Sequence, residues 1–317
     1  LKVQKSQAWS LEKSDQSLVA RSEIITLTFR GVGATELPAD LFTGVPLDAS
    51  LLPNNLYQEL KSRNIIVNAE YGQAASERFS RQHDYLVTLG ADPNLGHLKI
   101  TEARVGIIGV GALGSCALQA FVGAGVQKFT LIDPDVVCPS NMNRQYIYGS
   151  GDIGRPKVDV AKHWVVDRAI RPEITTHFCS FHDLNAEVFF HEVDFVVATF
   201  DGPSMNSVLS CLCQAWDNRV ASVFGATGFN TTVISPVFMP GRSRSPEECI
   251  LLSEMGGVRE PIRASWGPIS LYNSALLAEQ ALLHLLGLSD EVNYTSFHKT
   301  LRRRGVVSIQ TTESLRF

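Results

Sequence analysis

The chain has 317 residues, a formal net charge of −4 and a sequence pI near 6.1. That length accommodates one large domain and a smaller one with a sizeable core, and the mildly acidic balance leaves no electrostatic footprint for nucleic acid. No apolar run of about 18 residues is free of charges, so no membrane-spanning helix is expected. No signal peptide is visible, and six scattered cysteines form no disulfide framework, which suits a reducing cytoplasm.

Residues 1–72 differ in texture from the remainder of the chain. Towards the end of 18–29 the pattern turns β-rich and alternating (Ile24, Ile25, Leu27, Phe29), which reads as a strand. Pro, Gly and Asp cluster over 31–48 as loop or short turns. Residues 53–63 (PNNLYQELKSR) read as a helix with Pro near its start and basic residues at its end, and 65–67 returns to strand. Strand, helix and strand in this span fit a small α+β, winged-helix-like module. It either completes the fold or clamps a peptide, for instance by adding a strand to a sheet edge. A polar linker over 71–76 leads to Glu77-Arg78-Phe79-Ser80-Arg81-Gln82, which opens a helix with Phe79, Leu86 and Leu89 on its apolar side.

Residues 105–157 organise the rest. An apolar run, 105–110, meets the loop Gly109-Val110-Gly111-Ala112-Leu113-Gly114; a helical segment and a second apolar run ending at Asp133 come next. This is a βαβ unit with the dinucleotide fingerprint in its first turn. The glycines let backbone approach a phosphate at a helix N-terminus, and Asp133 lies about 20 residues on, where an acid can bind ribose hydroxyls. By itself the fingerprint suggests an NAD(P)-dependent oxidoreductase. The sequel, Asp133-Pro134-Asp135, then Ser140-Asn141-Met142-Asn143-Arg144-Gln145, then DIGRPK ending at Lys157, argues for a triphosphate. Arg144 and Lys157 supply fixed cations, which stabilise charge as it moves onto leaving pyrophosphate.

Beyond this unit, 157–169 reads as helix and 175–181 as strand. The apolar run 193–198 suits a buried parallel strand, and it delivers Thr199-Phe200-Asp201-Gly202 to the crevice at the carboxyl end of the sheet. Further strands are expected over 220–224 and 231–238. A Gly-, Pro-, Ser- and charge-rich stretch, 241–263, reads as a loop crossing over the site. Residues 269–288 give the strongest helical pattern, a core or dimer-interface helix, and 305–310 a final β segment. The one basic run, 302–304, reads as a solvated face.

The glycine loop, the SNxNRQ run and the DIGxPK run, in this order, resemble the ThiF/MoeB adenylating family, related to ubiquitin-activating enzymes. The resemblance covers roughly residues 77–286. It implies an α/β, Rossmann-like, doubly wound and mostly parallel sheet over 77–317, after the module at 1–72. It also implies ATP and Mg2+ as cofactors and attack of a carboxylate on the α-phosphate to give an acyl adenylate. The nucleotide would be held by Gly109, Gly111, Ala112, Gly114, Asp133, Asp135, Asn141, Asn143, Arg144, Gln145, Lys157 and Asp201. In these terms Arg144 and Lys157 neutralise phosphates, Asp201 transiently holds Mg2+, and Asn143 and Gln145 order the loop and nucleotide. Asp135 mainly stabilises the loop. Arg81 reaches the nucleotide of a second subunit, making a homodimer part of the mechanism. The adenine edge would lie near Ser180 and Phe181.

Many relatives carry paired CxxC motifs for zinc, and this chain has none. Cys211 and Cys213 are two apart on an expected helix and chelate poorly, so no zinc site is expected. Cys249 stands alone in the crossover loop, where some relatives form a thioester. The histidines show no ligand spacing and read as ordinary surface or core residues. An N-terminal module in place of zinc motifs resembles the peptide-maturing branch of the family, which includes the microcin C adenylating enzyme and the enzyme that cyclises the pantocin A precursor. The expectation is a cytoplasmic enzyme that activates a carboxylate of a ribosomally made precursor peptide, its leader held by the module at 1–72. An activator of a ubiquitin-like or sulfur-carrier protein, and an NAD(P)-binding oxidoreductase, remain the alternatives.

Overall fold

The computed structural model describes residues 1–14, 17–23, 25–30, 37–69, 77–184, 186–202, 204–228, 231–251, 265–303 and 306–316. They fall into two units, Leu1–Leu98 and Lys99–Phe317. The linker expected at 71–76 and most of the expected crossover loop lie outside the described residues.

In the first unit, strand β1 (Lys2–Lys5) is followed by an antiparallel meander of β2 (Ser10–Ser14), β3 (Ser17–Arg21) and β4 (Thr26–Arg30). Helix α1 (Asp40–Thr43), β5 (Leu47–Asp48), α2 (Asn54–Ser62) and β6 (Ile66–Asn68) come next, and β5 and β6 flank β1 in a second antiparallel sheet. Leu18, Leu41, Leu60 and Ile65 are wholly buried between these pieces. The single strand expected over 18–29 is in fact two strands. Ser22 closes a turn between them: its amide donates to Ile25 O (2.9 Å), and its hydroxyl accepts from the Ile25 amide (3.1 Å). Apolar alternation runs through such a turn unbroken, because both strands present one face to the same core.

A 3-10 turn, Glu77–Phe79, leads into α3 (Ser80–Thr88), and α4 (Pro93–Glu102) comes after it. Phe79 and Leu86 are buried as the pattern required, while Leu89 is half-buried. The boundary expected between 72 and 77 falls mostly on residues outside the described ones; the two units part at Leu98, within α4.

The second unit opens with β7 (Arg104–Ile108), α5 (Ala112–Ala124), β8 (Lys128–Ile132), α6 (Lys157–Val166) and β9 (Glu173–His177). It continues with α7 (Ala186–Glu192), β10 (Phe195–Ala198), α8 (Met205–Asp217), β11 (Ala221–Thr227) and β12 (Thr231–Ile234). Short α9 (Pro246–Cys249) and β13 (Ile250–Leu251) precede the long α10 (Gly267–Leu286) and strands β14 (Phe297–Arg303), β15 (Val306–Thr312) and β16 (Leu315–Arg316). The eight-stranded sheet has the order β15-β14-β12-β11-β10-β7-β8-β9. It is parallel from β11 to β9 and antiparallel from β11 to β15. The chain begins this sheet at β7, builds outward to β9, then returns to lay β10 on the other side of β7. That reversal opens a crevice at the carboxyl ends of β7 and β10.

Core packing explains the strand choices. β10 is buried at every position, and Phe195, Val196 and Val197 have no exposed surface. α10 packs on α5 and β11, with Leu277, Ala278 and Ala281 buried; Gly287, at φ +79, ends it. Three expectations need correction. The strand expected over 175–181 is β9, which stops at His177, because Phe181 turns inward within a 3-10 turn, Phe181–Asp183, to join the aromatic core. Of the strand expected over 231–238 only β12 remains; Phe238 instead bridges to Ser222. The final β segment has an unforeseen partner, β14, whose polar sequence (FHKTLRR) carries little strand signal. No helix among the described residues is long and apolar enough to cross a membrane.

Candidate active site

The site is built at the carboxyl ends of β7, β8 and β10. Gly109 adopts φ +88, and a side chain there would put Cβ 2.8 Å from Thr199 O, so both conformation and space require glycine. A Cβ at Gly114 would strike the Gly109 carbonyl, which lets α5 start directly beneath the turn. At Gly111 the space is open, with only Gln145 Nε2 at 3.9 Å. Gly111 is also the N-cap of α5, and no side chain caps that helix. Its first amides therefore face a cradle that an anion fits.

Three side chains clamp this turn. Asp133, 4% exposed, accepts from the Val110 amide through Oδ2 (2.6 Å) and from the Asp135 amide through Oδ1 (2.9 Å). Tyr148 Oη donates to Val110 O (2.6 Å), and Thr199 Oγ1 donates to Gly109 O (2.7 Å). Two carbonyls are thus tied up by hydroxyls. Burial pushes the Asp133 carboxyl above its ordinary value, opposed by Lys157 and by the two amides.

Lys157 begins α6 and is 5% exposed. Its Nζ lies 2.6 Å from Asp135 Oδ2 and 3.9 Å from Asp133 Oδ1. Its amide donates to Asp135 O (3.0 Å), so backbone and side chain together fix the DPD turn against α6. Asp135, expected to stabilise the loop, is the direct counter-ion of Lys157. A buried ammonium held by one exposed carboxylate can exchange that partner for a phosphate without further desolvation.

The SNMNRQ run forms a second group. Asn141, buried, accepts from the Cys138 amide (2.9 Å) and shapes the turn. Arg144 Nη1 donates to Ser140 O and to Asn143 Oδ1 (2.9 Å). Gln145 is 3% exposed; its Nε2 is the atom that faces the open space at Gly111, and its Oε1 has no hydrogen-bond partner among the described residues. The start of α10 packs on this run: a Cβ at Gly267 would lie 2.5 Å from Asn143 O. Asp201 follows β10 with its side chain exposed, and Ala112 opens α5. Arg81 is exposed on α3, in the first unit.

Tyr148 and Thr199 escaped the sequence reading. Tyr148 stands three residues past Gln145 in an apolar run, and its hydroxyl works through a contact 38 residues away in sequence. Two of the cysteines are held against ionisation. Cys249 is buried, and burial raises its thiol above the ordinary value; Cys213 is pushed up to about 11, chiefly by burial. Both changes reduce the thiolate fraction that thioester chemistry needs. Among the described residues no three metal-ligating side chains cluster.

Residues 80–304 match the ThiF family. The chain belongs to that family. Membership sets aside the oxidoreductase that the glycine fingerprint alone left open. Among curated relatives, the adenylyltransferase and sulfurtransferase UBA4 of Candida glabrata is 27% identical over 232 residues, 71% of this chain and 52% of its own. The UBA4 of Aspergillus terreus is 34% identical over 217 residues, 64% of this chain and 43% of its own. This chain thus spans about half the length of the curated relatives it matches. Among solved structures, E. coli MccB with ATP superimposes with a TM-score of 0.78 at 17% identity, covering 99% of this chain and 98% of that one. MccB with MccA-N7isoASN gives 0.79 with the same coverage and identity. At that identity the likeness is one of fold, and it extends over both units of this ThiF-family chain.

Proposed function

We propose that this chain uses ATP to adenylate a carboxylate on a ribosomally made precursor peptide, and that an internal nucleophile of the peptide then captures the acyl adenylate. The observation that carries the reading is the buried Lys157 ammonium beside a glycine turn and an uncapped helix N-terminus, with Arg144 on the neighbouring loop. The triphosphate would lie along α5, exchanging with Asp135 for Lys157 and drawing Arg144 from its resting contacts. Gln145 Nε2, which faces the open space at Gly111, would donate to a phosphate oxygen, and Asp133 would hold the ribose. Asp201, exposed at the end of β10, fits a magnesium ion shared with phosphate oxygens, the usual manner for an ion that keeps most of its water. Bound there, it would supply charge neutralisation.

In the first step a carboxylate oxygen bonds to the α-phosphorus and the bond to pyrophosphate breaks. In the second, the internal nucleophile attacks the acyl carbon, AMP leaves with the bonding electrons, and the nucleophile gives up its proton. The peptide loses one water overall. The protein's contribution is position and fixed charge. Arg81 would complete the site from a second copy, making the working form a homodimer. Residues 1–72 would hold the leader of the peptide. A full-length fold likeness to MccB, whose structures include the peptide MccA, supports a peptide substrate over a carrier protein. The burial of Cys249 also weighs against a thioester-forming activator. Glutamate cyclisation, as in pantocin A, is one form the capture could take.

The test is incubation with ATP, Mg2+ and short peptides encoded beside the gene. Pyrophosphate exchange into ATP and loss of one water from the peptide, read by mass spectrometry, are expected. Exchange with a Gly-Gly-ending carrier protein instead would favour the carrier-activating alternative, and no exchange with any carboxylate would reject adenylation.

A further inference from the structure

The start of α10 meets the SNMNRQ run, and hydrogen-bond donors at that junction lack partners. A Cβ at Gly267 would lie 2.5 Å from Asn143 O and would strike Tyr146 Oη, so glycine is what lets the helix come this close. Trp266 is the N-cap of α10, and no side chain caps the helix. Within the first turn Pro268 has no amide hydrogen, and the Ile269 and Ser270 amides donate to Trp266 O (3.1 and 3.3 Å). The Gly267 amide is left over. Gly267 is buried, and its amide has no hydrogen bond among the described residues. Ser270, next along the same helix face, is 1% exposed, and its hydroxyl has no hydrogen-bond partner among the described residues. Ser274, one turn further on that face, donates to Leu113 O (2.9 Å) in the first turn of α5. Ser270 therefore lies between the contact with the SNMNRQ run and the contact with α5. Tyr146, exposed, brings a hydroxyl to the same place, and that hydroxyl too makes no hydrogen bond among the described residues.

Two buried donors without partners on one helix turn are uncommon, and they call for a ligand that accepts from both. The positive end of a 20-residue helix favours a negatively charged one. Placement narrows the choice. α10 packs on β11 and α5, whereas Asp133 and Lys157 stand at the end of β8, on the far side of β7. With Lys157 drawing pyrophosphate towards β8, a carboxylate that attacks the α-phosphorus in line enters from the α10 side. Resting on the proposed adenylation, we propose that the first turn of α10, together with Tyr146, is the subsite for the reacting carboxylate of the peptide. One carboxylate oxygen bonds to the α-phosphorus as pyrophosphate leaves. The other stays on the acyl carbon and accepts from the Gly267 amide and from the Ser270 and Tyr146 hydroxyls. When the nucleophile adds to the acyl carbon, that oxygen takes up the negative charge. The same donors hold it until AMP leaves with its bonding electrons and the carbonyl re-forms.

The experiment compares calorimetric affinity of the full chain for AMP and for N-acetylsulfamoyl adenosine, a stable mimic of an acyl adenylate. Both present adenosine and an anionic linker, and the second alone carries an acyl carbonyl. The parent is expected to bind the mimic more than about ten-fold tighter than AMP, and Tyr146→Phe and Ser270→Ala should each cut that preference about five-fold, with AMP unchanged. Ser270→Ala also removes a buried hydroxyl that has no partner, so Tm without ligand should not fall. A merely structural serine would lower Tm and weaken both ligands alike, which overturns the inference. Variants that keep the parent's preference within about two-fold overturn it as well. A parent that exchanges pyrophosphate yet binds AMP and the mimic equally rejects the inference alone. A parent that binds neither rejects it together with the reading it rests on.

Discussion

Lys157 and Asp133 are both buried, so removing the cation has two consequences. Lys157→Gln withdraws a charge from the proposed phosphate site and leaves the Asp133 carboxylate without the cation 3.9 Å from it. Pyrophosphate exchange should fall by about 10²–10³-fold, and the chain should lose about 3 kcal/mol of stability in urea titrations. Adding Asp133→Asn removes the stranded charge, so the double variant should regain stability and stay inactive. A double variant no more stable than Lys157→Gln would show that the two side chains do not act as a pair. Tyr148 tests the clamp in another way. Tyr148→Phe keeps the ring and deletes the donor to a buried carbonyl, a change worth about 1–3 kcal/mol. Because that carbonyl belongs to the glycine turn proposed to hold phosphate, the KM for ATP should rise together with the loss of stability. An unchanged KM would mean the turn holds its shape without the hydroxyl.

At the scale of elements, α10 and β11 meet in a close contact that a glycine makes possible. A Cβ at Gly225 would lie 2.5 Å from Leu277 Cδ1 and 3.2 Å from Cδ2 and Cγ. Gly225→Ala should overpack this contact and cost about 1–3 kcal/mol in urea titrations; a neutral result would mean that Leu277 moves aside freely. Contacts of this kind are invisible to periodicity, which is why the sequence reading succeeded in one place and failed in another. The βαβ unit was legible because its signals are local: an apolar run, a glycine turn and an acid at fixed spacing. Lys157 was legible through its motif, whereas its pairing with Asp135 had to be seen. Tyr148 and Thr199 act through hydrogen bonds between distant segments, and each of those residues looks ordinary among its sequence neighbours. The first unit was least legible. Its short strands share one small core, and a Ser22 turn that interrupts no apolar pattern made two strands look like one.

At the scale of the molecule, both units carry histidines whose burial opposes their charge. In the first, His83 and His97 pack with ring centroids 5.4 Å apart; both ring nitrogens of His83 and Nδ1 of His97 lack hydrogen-bond partners among the described residues. In the second, His284 Nδ1 meets Tyr294 Oη at 2.9 Å on the packed face of α10. Burial lowers all three from the ordinary value of 6.5; Asp84 partly counters this at His83, while His83 adds to it at His97 and Arg242 adds to it at His284. A lowered folded value means that the unfolded chain takes up the proton first. The stability these rings contribute is therefore fully present above about pH 6.5 and is lost as pH falls through their folded values. Asp133 has the opposite sign. Its folded value is raised above 3.8, chiefly by burial, so its contribution is complete only below that pH and is lost as pH rises through the folded value. The urea midpoint should thus stay level from about pH 8 to 6.5 and then decline on acidification. Each ring contributes at most about 1.4 kcal/mol per pH unit. His83→Leu with His97→Leu should shrink that decline, and Asp133→Asn should steepen the acid limb by removing a group that recovers stability there. A midpoint that rises between pH 6.5 and 5.5 would contradict the burial of the histidines as the governing effect.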